Sequence, residues 1–290
     1  MVGFVLRHED DPKKRLWLVF DINWQNILMR SRRGLRILQF GTTTWALALV
    51  DTNRCLEGVH SVDSLTTAPI VELLEQLFRK AEAADRPLHE AFVGEGEKIS
   101  AEHMRTFLDE EAKDYQATYR TLAGNYLNVS PEFGKFLYMC ARTRKATRIV
   151  EFGTSFGVSA IHLACALRDS GGGQLIGTEL EATKAAAARD NLAAAGLADL
   201  VDIRVGDALE TLKEGISGDV DLVHLDGAFN LYLPVLKLLE PHLKAGALVI
   251  GENAIEPAYL DYVRDPRNGY LSVAMPFDAG RGNEFTVVTR

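Results

Sequence analysis

A hydrophobic strand that runs into a glycine-bearing loop and then into a helix constrains this chain more than any other feature. The segment is RIVEFGTSFGVSAIHLA, residues 148–164. Glycine lacks a Cβ atom, so Gly153 and Gly157 let the backbone approach a ligand closely and adopt angles that other residues resist. The helix that follows points unpaired backbone N–H groups toward the loop, which favours a bound carboxylate or phosphate. The segment therefore predicts a cofactor-binding loop at the end of a strand.

The loop differs from two common nucleotide-binding loops. It lacks the Gly-Lys-Ser/Thr ending of a phosphate-binding loop and the third glycine of a dinucleotide fingerprint. The next strand, QLIGTEL, reaches Glu179, where an acid can accept hydrogen bonds from both ribose hydroxyls. A third strand, VDIRVGDAL, ends at Asp207, beside the place an adenine ring would take, although Asp207 could instead close a turn through its side chain. Three strand ends thus predict one crevice for an adenosine-containing ligand.

Strands and helices alternate from Arg148 onward, with the short connections of a doubly wound sheet. Predicted strands cover residues 148–152, 174–179, 201–205, 220–226, 246–251, 270–275 and 284–289. Predicted helices cover residues 157–169, 182–195, 230–243 and 256–264. Only FDAGRGN separates the last two strands, which is too short for a helical crossover, so they should form an antiparallel hairpin. The expected fold is α/β: a Rossmann-like, doubly wound seven-stranded sheet, mostly parallel with an antiparallel C-terminal hairpin, plus N-terminal helices.

The N-terminal helices are predicted from apolar spacing and capping residues. Pro69 begins a helical pattern of apolar residues that reaches Phe78, and the apolar residues from Met104 to Tyr115 predict a second helix. Ser130 followed by proline predicts an N-cap and the first residue of a third helix, directed toward Arg142. Simple core packing is a better explanation of the first two helices than a direct role in catalysis.

Five ordered motifs carry a family resemblance: EFGTSFGVS, TELE, GDALETL, DLVHLDGAFNLY and GALVIGEN. Together they resemble the class I S-adenosylmethionine-dependent methyltransferases, specifically the catechol and caffeoyl-CoA O-methyltransferase-like group. LNVSPEFGKFL, residues 127–137, is similar to the family's segment before its first strand, and the resemblance covers roughly residues 88–290. It implies an O-methyltransferase that uses S-adenosylmethionine and acts on a small hydroxylated molecule, aromatic ones included.

The resemblance also implies roles for individual residues. Leu127 and Val129 lie in a loop that lends backbone contacts to the methionine end of the cofactor. The family positions around the methionine moiety correspond to Glu151, Gly153, Ser155, Gly157 and Ser159, and Ser159 could also cap its helix. Glu179, Asp207 and Asp226 complete the cofactor set, and Asp226 is the candidate catalytic residue.

A cation site follows from the same resemblance. In the family, two Asp and one Asn bind Mg²⁺ or a similar hard cation that holds the oxygens of the substrate. The matching positions are Asp226, Glu252 and Asn253. The extra methylene of Glu252 displaces its carboxylate by about one bond length, enough to alter a near-octahedral site unless the backbone shifts. The presence of a divalent cation is therefore an open expectation.

The proton acceptor of the family is missing. Its lysine corresponds to Phe229, which cannot accept a proton and is expected to shape the acceptor pocket. His224 has a suitable pKa range but lies about 6–7 Å below the strand end, so a packed core histidine is favoured. Three explanations stay open: metal-activated chemistry without the lysine, another base, or weak catalysis.

The loss of the lysine supports a rival hypothesis, a degenerate methyltransferase that binds the cofactor and serves as a partner or sensor. A nicotinamide oxidoreductase would share the strand, loop and helix. It is disfavoured because the third glycine and a second substrate domain are lacking.

The composition limits the partners. A formal charge of −8 argues against binding nucleic acid through a broad basic surface. No run reaches the roughly 18 apolar residues of a membrane helix. Cys55, Cys140 and Cys165 lack metal-ligand spacing and are expected to be reduced and mostly buried. We expect a small-molecule substrate, no nucleic acid, no membrane, a cytoplasmic location and, from the resemblance, a homodimer.

The first sixty residues differ from the rest. They contain all three tryptophans and carry a net charge of +3, whereas the remainder carries −11. One hypothesis is a translated upstream extension with the native start near Val62, and the other is a genuine accessory cap. The expected organisation is an N-terminal extension at 1–61, a helical cap at 62–125 and an S-adenosylmethionine-binding methyltransferase domain at 126–290.

Overall fold

The computed structural model divides the chain into two compact units, residues 1–62 and residues 63–290. It describes residues 63–92, 101–276 and 282–290, together with the backbone of four strands in the first unit. These strands pair as an antiparallel sheet in the order of the sequence. They are β1 (Val2–His8), β2 (Asp11–Phe20), β3 (Ile27–Ser31) and β4 (Gly34–Leu35). Cys55, predicted to be reduced, lies outside the described residues.

The second unit begins with three helices and continues with alternating strands and helices. The helices are α1 (Ala68–Phe92), α2 (Ala101–Thr121) and α3 (Pro131–Arg144). The alternating part contains β5 (Arg148–Phe152), α4 (Val158–Asp169), β6 (Gln174–Glu179), α5 (Ala182–Ala194), β7 (Val201–Val205), α6 (Ala208–Thr211), β8 (Val220–Leu225), α7 (Tyr232–Leu239), β9 (Leu243–Gly251), α8 (Pro257–Arg264), β10 (Tyr270–Met275) and β11 (Asn283–Val288).

The seven strands from β5 to β11 form one sheet in the order β10-β11-β9-β8-β5-β6-β7. Strands β7, β6, β5, β8 and β9 are parallel, while β11 pairs antiparallel with both β9 and β10. The predicted α/β sheet and its C-terminal antiparallel hairpin are confirmed. This order brings the carboxyl ends of β5, β6, β7 and β8 to one edge of the sheet, where ligands bind in open α/β folds.

The element boundaries differ from the predicted ones in a few places. The helix predicted over residues 230–243 is an α-helix only from Tyr232 to Leu239, with a 3₁₀ turn at each end. Pro241 lies in the second of these turns; it has no backbone N–H to donate and so favours the end of the α-helix. Strand β9 begins three residues before the predicted residue 246.

Local sequence explains two helix boundaries that matter for the site. The Ser130 hydroxyl accepts the backbone N–H of Phe133 at 3.2 Å, and Pro131 is the first residue of α3, as predicted. Helix α2 is interrupted at Asp114, whose φ of −157° and ψ of 82° are not helical. The Asp114 carboxylate accepts the N–H of Ala117 at 2.9 Å and so caps the second half of α2.

Two hydrophobic layers enclose the sheet, one on each face. Successive strand residues alternate between them: Ile149 and Leu222 belong to the layer with α1, α3, α4 and α5, whereas Val150 and Val223 belong to the layer with α7 and α8. This alternation has the two-residue period of a strand buried on both faces. Among the described residues, no helix is long and apolar enough to cross a membrane.

Candidate adenosyl-cofactor pocket

A pocket of about 630 Å³, its open mouth included, lies at the carboxyl ends of β5, β6, β7 and β8. Six of the predicted site residues line it: Leu127, Gly153, Ser155, Glu179, Asp207 and Asp226. The other lining residues are Tyr115, Tyr119, Phe152, Thr178, Leu180, Glu181, Lys184, Gly206, Ala208, Gly227, Ala228 and Leu231. The structure therefore brings together residues that follow four different strands, as the sequence predicts for a single crevice.

Gly153 occupies a position that no other residue fits. Its φ is +91°, and a Cβ atom there would lie 2.1 Å from the carbonyl oxygen of Asp226. Backbone N–H groups of Gly153 and Thr154 both donate to the carbonyl of Thr178, at 3.2 and 2.9 Å. The glycine thus allows the loops after β5 and β8 to touch, and this contact shapes the floor of the pocket.

Three of the predicted site residues have unusual backbone angles. Leu127, Ser155 and Asn253 have φ values of 50°, 47° and 47°, although none of them is glycine. The left-handed conformation costs an L-residue about 1–2 kcal/mol, so the surrounding contacts must hold it in place. Such strain concentrates at functional sites, which supports a functional role for these loops.

The loop before α3 and the glycine loop are joined by two contacts. The rings of Tyr126 and Phe156 stack with centroids 3.9 Å apart, and the Ser155 hydroxyl donates to the carbonyl of Tyr126 at 2.6 Å. The Asp85 carboxylate, on α1, accepts the backbone N–H groups of Tyr126 and Leu127 at 2.7 and 2.8 Å. Both loops are therefore held in place by the fold of this unit.

Glu179, the acid predicted to bind ribose, is 8% exposed and lines the pocket. Its Oε2 accepts the N–H of Ser155 at 2.7 Å and its Oε1 accepts the N–H of Glu181 at 2.8 Å. Burial raises the pKa of Glu179, while these N–H groups and the ammonium of Lys184 oppose the rise. Each carboxylate oxygen retains lone-pair capacity for a ligand hydroxyl.

Asp207 lines the pocket and also closes a turn through its side chain. Its Oδ1 accepts the N–H of Leu209 at 2.9 Å, which caps α6. Its Oδ2 accepts hydrogen bonds from the hydroxyl of Tyr115 and the amide of Gln116, both on α2. Burial, followed by the hydrogen bond to Asp207, raises the pKa of Tyr115. These two hydrogen bonds hold α2 against the side of the pocket that Asp207 lines.

The remaining predicted cofactor residues lie beneath the pocket surface. Val129, Glu151, Gly157 and Ser159 are buried and are not lining residues. Glu151 pairs in the sheet with His224, and its Oε1 lies 3.4 Å from the His224 Nδ1. His224 is fully buried, as expected for a core histidine.

The three predicted cation ligands follow neighbouring parallel strands. Asp226 and Glu252 come directly after Leu225 and Gly251, which pair in the sheet. Asp226 lines the pocket, whereas Glu252 is 2% exposed and neither it nor Asn253 is a lining residue. Among the described residues, no three His, Cys, Asp or Glu side chains form a metal-binding group.

Phe229, predicted to shape the acceptor pocket, packs within an aromatic group instead of lining the described pocket. Its ring lies 6.3 Å from that of Phe107 and 6.2 Å from that of Tyr232. Its backbone N–H donates to the carboxylate of Glu111 at 2.9 Å. Glu111 also accepts the hydroxyl of Tyr119 at 3.0 Å. Burial raises the pKa of Glu111, and these hydrogen bonds oppose the rise.

Sequence reasoning missed four residues that build the site: Glu111, Tyr115, Tyr119 and Lys184. The first three lie on α2, and helical spacing alone does not say which face of a helix covers a pocket. Lys184 could have been noticed, since it is the one charged residue among small residues at the start of α5.

Comparisons with known proteins agree with this geometry. Residues 150–254 match a family model described as a methyltransferase domain. The chain is 33% identical over 132 residues to a catechol O-methyltransferase of Niastella koreensis and 36% identical over 128 residues to one of Mycobacterium tuberculosis. Each match covers 44% of this chain, but only 59% and 57% of the respective relative. The chain thus matches less than two thirds of these relatives' own length.

A solved structure agrees as well. TomG of Streptomyces achromogenes, an O-methyltransferase involved in tomaymycin synthesis, was crystallised with S-adenosylmethionine and is 26% identical to this chain. The match has a TM-score of 0.52 and covers 73% of this chain and 98% of TomG. These matches to curated relatives and to the family model each cover less than half of this chain, and over that region the chain is similar to methyltransferases, with its pocket at the carboxyl ends of the parallel strands.

Proposed function

We propose that this protein transfers the methyl group of S-adenosylmethionine to a hydroxyl oxygen of a small, catechol-like acceptor. The observation that carries the proposal is the pocket in which Gly153, Glu179, Asp207 and Asp226 meet at the ends of four parallel strands. The similarity to two catechol O-methyltransferases supports the acceptor class.

The reaction is an in-line displacement. The acceptor oxygen forms a bond to the methyl carbon, the bond from that carbon to the sulfonium sulfur breaks and its electron pair stays on sulfur, and the hydroxyl proton passes to solvent water as S-adenosylhomocysteine leaves. Catalysis then depends mainly on holding the acceptor oxygen in line with the bond from the methyl carbon to sulfur. In our proposal Glu179 accepts the ribose hydroxyls, Asp207 borders the adenine, and Asp226 lies at the reacting end. Tyr119 and Phe152 exclude water from one side of the pocket.

The proposal also includes a divalent cation bound near the acceptor hydroxyl. Two carboxylates and one amide form a set of hard oxygen donors of the kind that Mg²⁺ prefers, so the chemistry of Asp226, Glu252 and Asn253 fits such an ion. When bound, a cation of this kind would lower the pKa of the acceptor hydroxyl. Chelator should then abolish turnover while the affinity for S-adenosylhomocysteine is retained. Full turnover in chelator would remove the cation from the proposal.

Phe229 favours a second candidate function. Because it stands where the resembling family has a lysine, the chain could bind the cofactor and act as a partner or sensor with little catalysis. Two measurements separate the candidates: calorimetric binding of S-adenosylhomocysteine, and methyl transfer to a panel of catechols, phenols and aliphatic alcohols. Binding with turnover supports the enzyme, binding without turnover on the whole panel supports the sensor, and no saturable binding contradicts both.

We also propose a homodimer in the cytoplasm. The support for a second copy is β10, at the edge of the sheet, where Leu271 and Val273 are 68% and 60% exposed on one face. Large exposed apolar groups on an edge strand favour contact with another chain. Sedimentation equilibrium of the full chain and of Leu271→Lys should give a dimer and a monomer, respectively. A monomeric wild-type chain would contradict the dimer, and recovery outside the cytoplasm on cell fractionation would contradict the location.

A further inference from the structure

Lys184 is a buried cation within the cofactor pocket. It lies in the first turn of α5, it is 4% exposed, and its side chain lines the pocket beside Glu179 and Ser155. A lysine is almost never buried to this extent unless its ammonium group is paired. We therefore expect a binding partner for the Lys184 ammonium.

Within the part of the chain that the structure describes, Lys184 has no hydrogen bond and no ion pair within 4.0 Å. Its contact is with the ring of Phe156, whose centroid lies 5.8 Å from the ammonium nitrogen. Burial lowers the pKa of Lys184, while the carboxylates of Glu179 and Asp85 oppose the fall from a distance. A buried ammonium without a close partner is costly, and a ligand in the pocket can supply that partner.

The hydrogen bonds of Glu179 indicate which ligand group would do so. Each of its carboxylate oxygens already accepts one backbone N–H, and each can still accept one hydroxyl. A hydroxyl that donates to a carboxylate keeps two lone pairs on its own oxygen, and these can accept from an ammonium. A ribose diol placed between Glu179 and Lys184 would satisfy both residues at once.

We propose that Lys184 donates hydrogen bonds to the ribose hydroxyl oxygens of the bound adenosyl cofactor, whose hydrogens are donated to Glu179. This inference deepens the proposed function and rests on it, because it assumes an adenosyl ligand in this pocket. It makes Lys184 a binding residue of the cofactor site. The ammonium of Lys184 and the carboxylate of Glu179 would then both hydrogen-bond to the same two ribose hydroxyls.

The test compares two ligands and two proteins by calorimetry. The ligands are S-adenosylhomocysteine and its 2′,3′-dideoxy analogue, and the proteins are the full-length wild type and Lys184→Met, which keeps length but removes charge and donors. The variant should bind S-adenosylhomocysteine about tenfold more weakly, in keeping with a charged hydrogen bond. It should bind the dideoxy analogue as the wild type does. Lys213→Met, at an exposed lysine paired with Glu210, should leave both affinities unchanged.

Stability separates this role from simple packing. Without ligand, Lys184→Met should resist urea at least as well as the wild type, because it removes a buried charge. If the methionine variant does not fold, Lys184→Gln serves the same comparison. If Lys184→Met loses the same affinity for both ligands, Lys184 contacts a part of the ligand other than the ribose hydroxyls, and the inference is wrong. Unchanged affinity would overturn it as well, whereas a wild type that binds neither ligand would defeat the proposed function itself.

Discussion

The carboxylate of Glu111 accepts the backbone N–H of Phe229 at 2.9 Å, across 118 residues of sequence. It also accepts the N–H of Asn230 at 3.1 Å, so a side chain of α2 caps the turn that follows Asp226. Glu111 is 1% exposed. The turn that carries Phe229 is therefore held by a buried acid of α2.

Replacing Glu111 should weaken the fold. The Glu111 carboxylate accepts hydrogen bonds from the N–H groups of Phe229 and Asn230 and from the Tyr119 hydroxyl. In Glu111→Gln one of the two accepting oxygens becomes an NH₂ group, which is itself a donor and cannot accept them. We expect a loss of about 1–3 kcal/mol in the free energy of unfolding, measured by urea titration. Glu110→Gln, at an exposed neighbouring position, should change it by less than about 0.5 kcal/mol. Equal effects of the two variants would show that the cap contributes nothing.

Glu179 should dominate the recognition of the ribose. Glu179→Gln removes the charge that accepts the hydroxyl hydrogens and places an amide donor near the N–H groups of Ser155 and Glu181. The affinity for S-adenosylhomocysteine, measured by calorimetry, should fall roughly ten- to hundredfold. Glu210→Gln, an exposed acid outside the pocket, is the control. A wild-type affinity in Glu179→Gln would assign the ribose to another place.

Gly153→Ala should disrupt the pocket through a collision. The added Cβ would lie 2.1 Å from the carbonyl oxygen of Asp226, so the loops after β5 and β8 would have to separate. Gly246→Ala is a matched control, because its φ of +81° is also positive but no atom lies within 4 Å of the added Cβ. Cofactor binding should be lost in Gly153→Ala alone, while the control should lose only about 1 kcal/mol of stability. Retained binding in Gly153→Ala would mean that the contact between the loops is dispensable.

Asp221 should make part of the stability depend on pH. Burial by itself would raise the pKa of Asp221, but the N–H of Thr147, the ammonium of Lys244 and the N–H of Arg148 hold it below its usual value. A lowered pKa in the folded state stabilises the protein above the unfolded value of about 4, and this contribution is lost as the pH falls through the folded value.

The corresponding variant is Asp221→Asn. It should lower the free energy of unfolding at pH 7 by about 1–3 kcal/mol and should show a shallower loss between pH 4 and pH 2. Urea titrations across that range measure both effects. Asp219→Asn, at an exposed acid 3.8 Å from Lys244, should keep the wild-type pH profile. A variant that loses stability with acid as steeply as the wild type would contradict the role of Asp221.

The sheet and the first turn of α3 could be predicted because their signals are local. Short apolar runs that alternate with helical segments mark the strands from Arg148 onward, and the Ser130 hydroxyl caps the start of α3. The short segment FDAGRGN excludes a crossover, so the hairpin follows from chain length alone.

The contribution of α2 to the site could not be predicted, because it depends on packing between segments that are distant in sequence. The break at Asp114 interrupts a continuous helical pattern, and the contacts of Glu111 and Tyr115 depend on how α2 lies over β7 and β8. The burial of Lys184 depends on such packing as well. Its burial is set by the loop at Ser155, which lies on another strand end.

The stack of Tyr126 on Phe156 has a thermodynamic consequence. Since the two stacked rings and the Ser155 hydroxyl join these loops within the fold, part of the loops' conformational freedom is lost during folding. A ligand that binds here does not have to order the loops of Tyr126 and Phe156, so its binding avoids that entropic cost.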